Sequence, residues 1–192
     1  MTAGNRMRNN LGRRFKLPTP AIFTIVPTCM NAEAKQIIAL LELAPLPQEG
    51  GFFRRTWVSQ ERLAGGRAAS SAILFLITPG NFSALHRVRA EELWCFHSGD
   101  AVEHVQLDPR DRSIRQTLLG ADALKNQAPQ VVVPGTVWQG ARLDASRLSR
   151  GWALFSCSLT PGWTEASFEL GERPALTETF PAHAAWIAAL TR

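Results

Sequence analysis

The chain has 192 residues, 45% apolar and 19% charged, with 14 Gly and 12 Pro. That is the composition of one turn-rich globular domain, and it argues against a disordered, fibrous or helix-bundle protein. The formal charge of +5 comes from residues 1–29, where Arg6, Arg8, Arg13, Arg14 and Lys16 meet no acidic side chain; beyond them 16 acidic groups are matched by as many basic ones, which gives no support to a nucleic-acid surface on the folded part.

Residues 1–29 show no periodicity and are expected to form a disordered or loosely packed basic leader, with the folded domain spanning 30–192. The short apolar run Ala21–Val26 is flanked by Pro18, Pro20 and Pro27, a poor export signal. Cys29, Cys95 and Cys157 lack the spacing of a zinc site or a disulfide scaffold, and no apolar stretch is long enough to span a membrane. A cytoplasmic protein with no membrane partner is expected.

Asn31 can cap a helix whose Ala34, Ile37, Ile38 and Leu41 share a face, and Pro45 and Pro47 mark its stop. From Gly50 the chain changes to strand patterns: Phe52 to Val58, Ser71 to Thr78, Phe82 to Val88, Glu92 to His97, Val102 to Leu107 and Ser113 to Leu118. Turn residues separate them, Pro79-Gly80-Asn81, Ser98-Gly99-Asp100 and Asp108-Pro109-Arg110-Asp111 among them. Gln130 to Val133, Trp138 to Leu143, Trp152 to Leu159 and Ala166 to Leu170 bring the count to nine or ten short strands, the pattern of an all-β sandwich or barrel. A last helix is predicted where Pro181 opens a run with His183, Trp186, Ile187 and Leu190 at helical spacing, packed on the outside.

Gly80, His86, Glu92 and Gly99 stand at the spacing of the first motif of the cupins, with Val88 where a second metal-binding His would be. The second motif carries a His five residues after a Pro; here Pro134 is followed by Gln139 at that distance. Pro45 to Gly51, Phe52 to Thr56, Phe82 to Val88, Glu91 to Trp94, Pro129 to Pro134, Trp138-Gln139 and Pro161 to Trp163 occur in an order that resembles one uncharacterised branch of that superfamily, formerly a domain of unknown function and related to a yeast cupin of unknown role. Leu46 and Cys95 stand where those relatives carry His. The resemblance implies a cupin double-stranded β-helix, or jelly roll, with short flanking N- and C-terminal helices, and a homodimer.

Of a three-His, one-Glu metal site only His86 and Glu92 persist, with Gln139 a feeble third donor, so no metal and no cofactor is expected. Alternation places His86 with Val88, and Glu92 with Trp94 and Phe96, on common faces. The pair can position a small molecule, can act as base and orienting carboxylate in isomerase or epimerase chemistry on a sugar-like or carbonyl compound, or can simply satisfy each other. The metal-free cupin epimerases need a Tyr acid and this chain has no Tyr, so another group would have to replace it. Trp94 and Trp138 either stack on a ligand or belong to the core. An anionic ligand would call on Arg54, with Arg55 or Arg87; otherwise these pair with Glu49 or Glu91 at the surface. Cys95 reads as a buried, inert thiol.

Overall fold

A computed structural model describes residues 30–192; the leader expected at 1–29 lies outside the described residues. The first element, α1 (Ala32–Leu40), begins where the Asn31 side chain accepts a hydrogen bond from the Ala34 N–H at 2.8 Å, the cap read from the sequence. It ends ahead of the prolines, because Glu42 takes a φ of 53° that a helix cannot contain.

Eleven strands follow: β1 (Ala44–Pro45), β2 (Phe52–Val58), β3 (Ser71–Ile77), β4 (Ser83–Val88), β5 (Glu91–Gly99), β6 (Val102–Asp108), β7 (Ser113–Leu119), β8 (Gln130–Val133), β9 (Trp138–Leu143), β10 (Ala153–Thr160) and β11 (Phe168–Leu170). They form two sheets of antiparallel pairs, in the orders β1-β2-β3-β10-β5-β8 and β11-β4-β9-β6-β7. Facing sheets with alternate residues turned inward make the all-β jelly-roll barrel. Strand β10 shows the alternation, with Phe155, Cys157 and Leu159 buried and Leu154, Ser156 and Ser158 half-buried on the other side.

Three layers of apolar packing result. Between the sheets, Phe75, Trp94 and Phe155 stack edge to face at 5.5–5.6 Å among Val102, Leu119 and Leu143. Outside the six-stranded sheet, Ala34 and Leu43 cover Leu76 and Trp152. Outside the five-stranded sheet lie α2 (Arg173–Thr179) and α3 (Ala184–Ala189), which bury Leu176, Trp186 and Ile187 against Leu85, Val105 and Leu107. The expected outer helix is there; α2 escapes sequence reading because Leu176 is its only buried residue and one anchor makes no period.

The turn after β5 is held by the segment that leads into β10, whose first residue Ala153 pairs with Gly99. Gly99 has a φ of 108°, and a Cβ there would lie 2.2 Å from the Trp152 carbonyl oxygen, so only glycine fits. The next residue, Asp100, is buried and accepts the backbone N–H groups of Ser149, Arg150 and Gly151. Among the described residues no helix is long and apolar enough to cross a membrane.

Candidate functional site

One end of the barrel opens into a cavity of about 320 Å³. Its walls are largely apolar, with Leu46, Phe53, Ile73, Val88, Leu159 and Phe168 among them, and Glu49, His86 and Glu92 face into it, with Arg55, Cys157 and Glu165 also in the lining. That mixture, a greasy wall with a few fixed polar groups, is the usual make-up of a small-molecule site.

His86 reaches the cavity from β4, paired in register with Gln139 of β9 on one side and Leu170 of β11 on the other. It is 3% exposed, and its ring stacks on Phe168 at 5.5 Å between centroids. Nδ1 donates to the Ala84 carbonyl oxygen at 2.8 Å, which leaves Nε2 as the nitrogen available to a ligand or a proton. Glu92 arrives from the opposite sheet, 6% exposed on β5, where it pairs with Val133 and Leu159. Burial pushes its carboxyl up to about 7, a rise that Glu49 adds to and that His86 and the Gln139 hydrogen bond oppose.

Glu49 is the residue that sequence reasoning assigned only to a surface arginine. It sits in the turn 46–51, where Gln48, Gly50 and Gly51 all have positive φ and a Cβ on Gly51 would meet the Phe75 ring at 2.6 Å. The Glu49 carbonyl accepts from the Ala84 N–H, and Oε1 accepts from Ser83 Oγ at 2.8 Å and lies 3.9 Å from His86 Nδ1. The Pro45 to Gly51 stretch thus folds over β4 and delivers a carboxylate beside the imidazole. The signal for it was the run itself, a two-glycine turn next to an acidic residue.

Gln139 is fully buried on β9 and does not line the cavity. Its Nε2 donates to Glu92 Oε2, and its Oε1 accepts from Trp94 Nε1 at 3.0 Å. Both ends of the amide are engaged within the protein. The donors needed for a transition metal do not fit here: Val88 offers none, the Gln139 oxygen is turned to an indole N–H, and no group of three or more His, Cys, Asp or Glu side chains among the described residues could hold an ion.

Three expected ligand contacts are corrected by the geometry. Trp94 is a core residue, 1% exposed, whose indole positions Gln139 rather than lining the cavity. Trp138 points to the outer face of β9, under the C-terminal helices, with the Arg87 guanidinium 4.5 Å above its ring, because its neighbour Gln139 takes the inward position. Arg54 faces outward and pairs with Glu42 at 3.3 Å, while Arg87 pairs with Glu169; neither finds Glu49 or Glu91. The cavity rim holds Arg55 instead, over Trp163 at 5.4 Å. Cys95 is half-buried, accepting from Gln130 Nε2, and the buried thiol in the cavity wall is Cys157. Burial pushes the Cys157 thiol well up, so it is neutral and unreactive.

A second imidazole, His104 of β6, lies fully buried with its ring 5.2 Å from Trp94, and neither nitrogen has a hydrogen-bond partner among the described residues. Burial holds its pKa down to about 4, so it is neutral near pH 7. Nothing in the sequence separates it from the alternation of a half-polar strand.

Comparison with known proteins agrees with this architecture. The model of a cupin superfamily family, DUF985, matches residues 35–171. Solved structures of a Shewanella oneidensis protein and of a hypothetical protein from Leishmania major are 32% and 31% identical to the chain, with TM-scores of 0.76 and 0.75. They cover 83% and 82% of this chain, and 97% and 98% of their own. A cupin-2 domain protein from Rhodospirillum rubrum, 14% identical over 78% of this chain and 89% of its own, shares the fold at a TM-score of 0.51. No curated protein matches the chain in sequence.

Proposed function

The chain belongs to the DUF985 family of the cupin superfamily, and from that premise we propose that it binds a small organic molecule in the cavity between its sheets, with His86 and Glu92 as the polar contacts. The observation that carries this reading is the placement of Glu49, His86 and Glu92 in a largely apolar cavity of about 320 Å³. Polar groups buried without a partner cost stability, so their placement here is better accounted for by an occupant than by packing alone. The proposal includes a cytoplasmic setting, in keeping with three cysteines that lack disulfide spacing.

One observation favours a second reading, isomerase or epimerase chemistry on a sugar-like or carbonyl compound. A carboxyl held near 7 across from a free imidazole nitrogen sets an acid opposite a base, and Glu92 would fill the acid role that no Tyr can take.

A crystal structure and mass spectrum of protein purified without chelator test the first reading, with an organic ligand in the cavity as the expected result. His86→Gln then separates the two. Weakened binding of the co-purified molecule by tenfold or more, in a folded variant, supports binding alone. Solvent deuterium entering the ligand beside a carbonyl in wild type and not in the variant establishes turnover. A cavity that stays empty and an unchanged melting temperature across a metabolite library would falsify both.

A further inference from the structure

We propose that the cavity selects a cationic ligand, a primary ammonium group on a short apolar body, seated against Glu49, His86 and Glu92. The inference rests on the reading of the cavity as a ligand site and names the class of ligand. It replaces the anionic ligand that Arg54 suggested, since Arg54 lies outside the cavity and the basic group at its edge, Arg55, is stacked over Trp163 at the rim.

The floor is made of acceptors. Glu49 presents a carboxylate of which only Oε1 is engaged, by Ser83. His86 has its Nδ1 proton committed to Ala84, so neutral His86 offers a lone pair on Nε2. Glu92 has a donor on Oε2 alone, from Gln139. His86 and Glu92 are each more than nine-tenths buried, line the cavity and keep these atoms without a protein partner among the described residues. With His86 neutral, these acceptors line one cavity and can receive N–H donors of a primary ammonium, and an anion placed there would meet two carboxylates in a medium of low dielectric. The walls, Phe53, Ile73 and Phe168, take an apolar body.

The same geometry couples binding to pH. The groups facing Glu92 are Glu49 from the 46–51 turn, His86 from β4, Trp94 of its own strand, Gln139 from β9 and Cys157 from β10, and Arg55 and Glu165 line the same cavity. Of these, Glu49 raises the Glu92 carboxyl and His86, Gln139 and Trp94 lower it, while the Cys157 thiol is neutral. An ammonium beside Glu92 favours its ionised form, so binding at pH 6 must expel a proton that at pH 8 has already left.

Three probes of one shape, benzylammonium, benzyl alcohol and benzoate, test this by calorimetric titration of the full chain at pH 8. The expected order is benzylammonium at least tenfold tighter than the alcohol and at least a hundredfold tighter than benzoate. Its affinity should weaken on going from pH 8 to pH 6. Glu49→Gln and Glu92→Gln, each checked for folding by circular dichroism, should each lose tenfold or more in benzylammonium affinity. Benzoate or the alcohol binding as tightly as the amine overturns the selectivity and leaves the cavity reading in place. Binding of none of the three at millimolar concentration overturns both, and amine binding indifferent to both substitutions places it elsewhere and overturns the proposal.

Discussion

Gln139 donates its side-chain N–H to Oε2 of Glu92 across the barrel, from the five-stranded sheet to the six-stranded one, while its own oxygen takes the Trp94 indole N–H. The amide is a bridge: it gives an ionised Glu92 its hydrogen bond and fixes an indole in the middle of the core. Replacing it with an apolar side chain would strand both groups. Gln139→Leu is therefore expected to lower stability by about 2–4 kcal/mol at pH 8, where Glu92 is ionised. At pH 5, where Glu92 is protonated, the loss should shrink. Urea unfolding at the two pH values measures it; an equal loss at both would mean that the Glu92 charge is not what Gln139 supports.

Glu92 and His104 should pull the pH dependence of stability in opposite directions. Glu92 titrates near 7 folded and near 4.5 unfolded, so its contribution is fully present below 4.5 and disappears as the pH rises through 7. His104 titrates near 4 folded and near 6.5 unfolded, so its contribution is present above 6.5 and is lost as the pH falls through 4. Between about pH 4.5 and 6.5 the two slopes oppose, each worth up to roughly 1.4 kcal/mol per pH unit. Single variants unmask them. His104→Leu should become less stable as the pH is raised across that window, and Glu92→Gln should become more stable. Denaturant midpoints that move the other way, or do not move, contradict the assignments.

Asp100 closes the end of the barrel away from the cavity through the three backbone N–H groups of Ser149, Arg150 and Gly151. Among the described residues no other group reaches those donors, and Arg150 is also tied to α1 through Glu33, which accepts from Trp152 Nε1 as well. Asp100→Ala is expected to cost about 2–4 kcal/mol, and Asp100→Asn less, since an amide oxygen still accepts one or two of the bonds. Thermal unfolding monitored by circular dichroism provides the check. A loss under about 1 kcal/mol for the alanine variant would show that water replaces the carboxylate without penalty.

Strands β2 to β11 were legible because each reads as a short β-prone run between turn residues, with β8 and β9 at their expected bounds, Gln130–Val133 and Trp138–Leu143, whereas the two-residue β1 falls on Pro45, which reads as a helix stop. His86 and Glu92 were placed by motif spacing, and alternation correctly set them on inward faces. Alternation alone, however, cannot say which side of a strand is inside when both sides are buried. Trp138 and Gln139 are both buried, one under the outer helices and one in the barrel, and the sequence of β9 looks the same either way. Glu49 was missed for a different reason: its position depends on a turn with three positive φ values, and the path of such a turn is not written in any periodicity.

The last expectation concerns the homodimer, for which the edge of the six-stranded sheet supplies a physical reason. Among the described residues, strand β1 covers β2 only at Phe52 and Phe53 and Arg54 to Val58 have no further strand partner on that edge, where Trp57 is 52% and Val58 39% exposed. A homodimer would cover such an edge and its exposed aromatic by strand pairing or apolar docking. Wild type is expected to sediment as a dimer at tens of micromolar, and Trp57→Glu to sediment as a monomer with its near-ultraviolet circular dichroism otherwise native. Placing a charge at that position sets two carboxylates against each other if the edges meet about a two-fold axis, so the loss should be partly reversed by high salt. A wild type that remains monomeric at a hundred micromolar contradicts the dimer; a dimer unaffected by Trp57→Glu and by Val58→Lys places the interface away from β2.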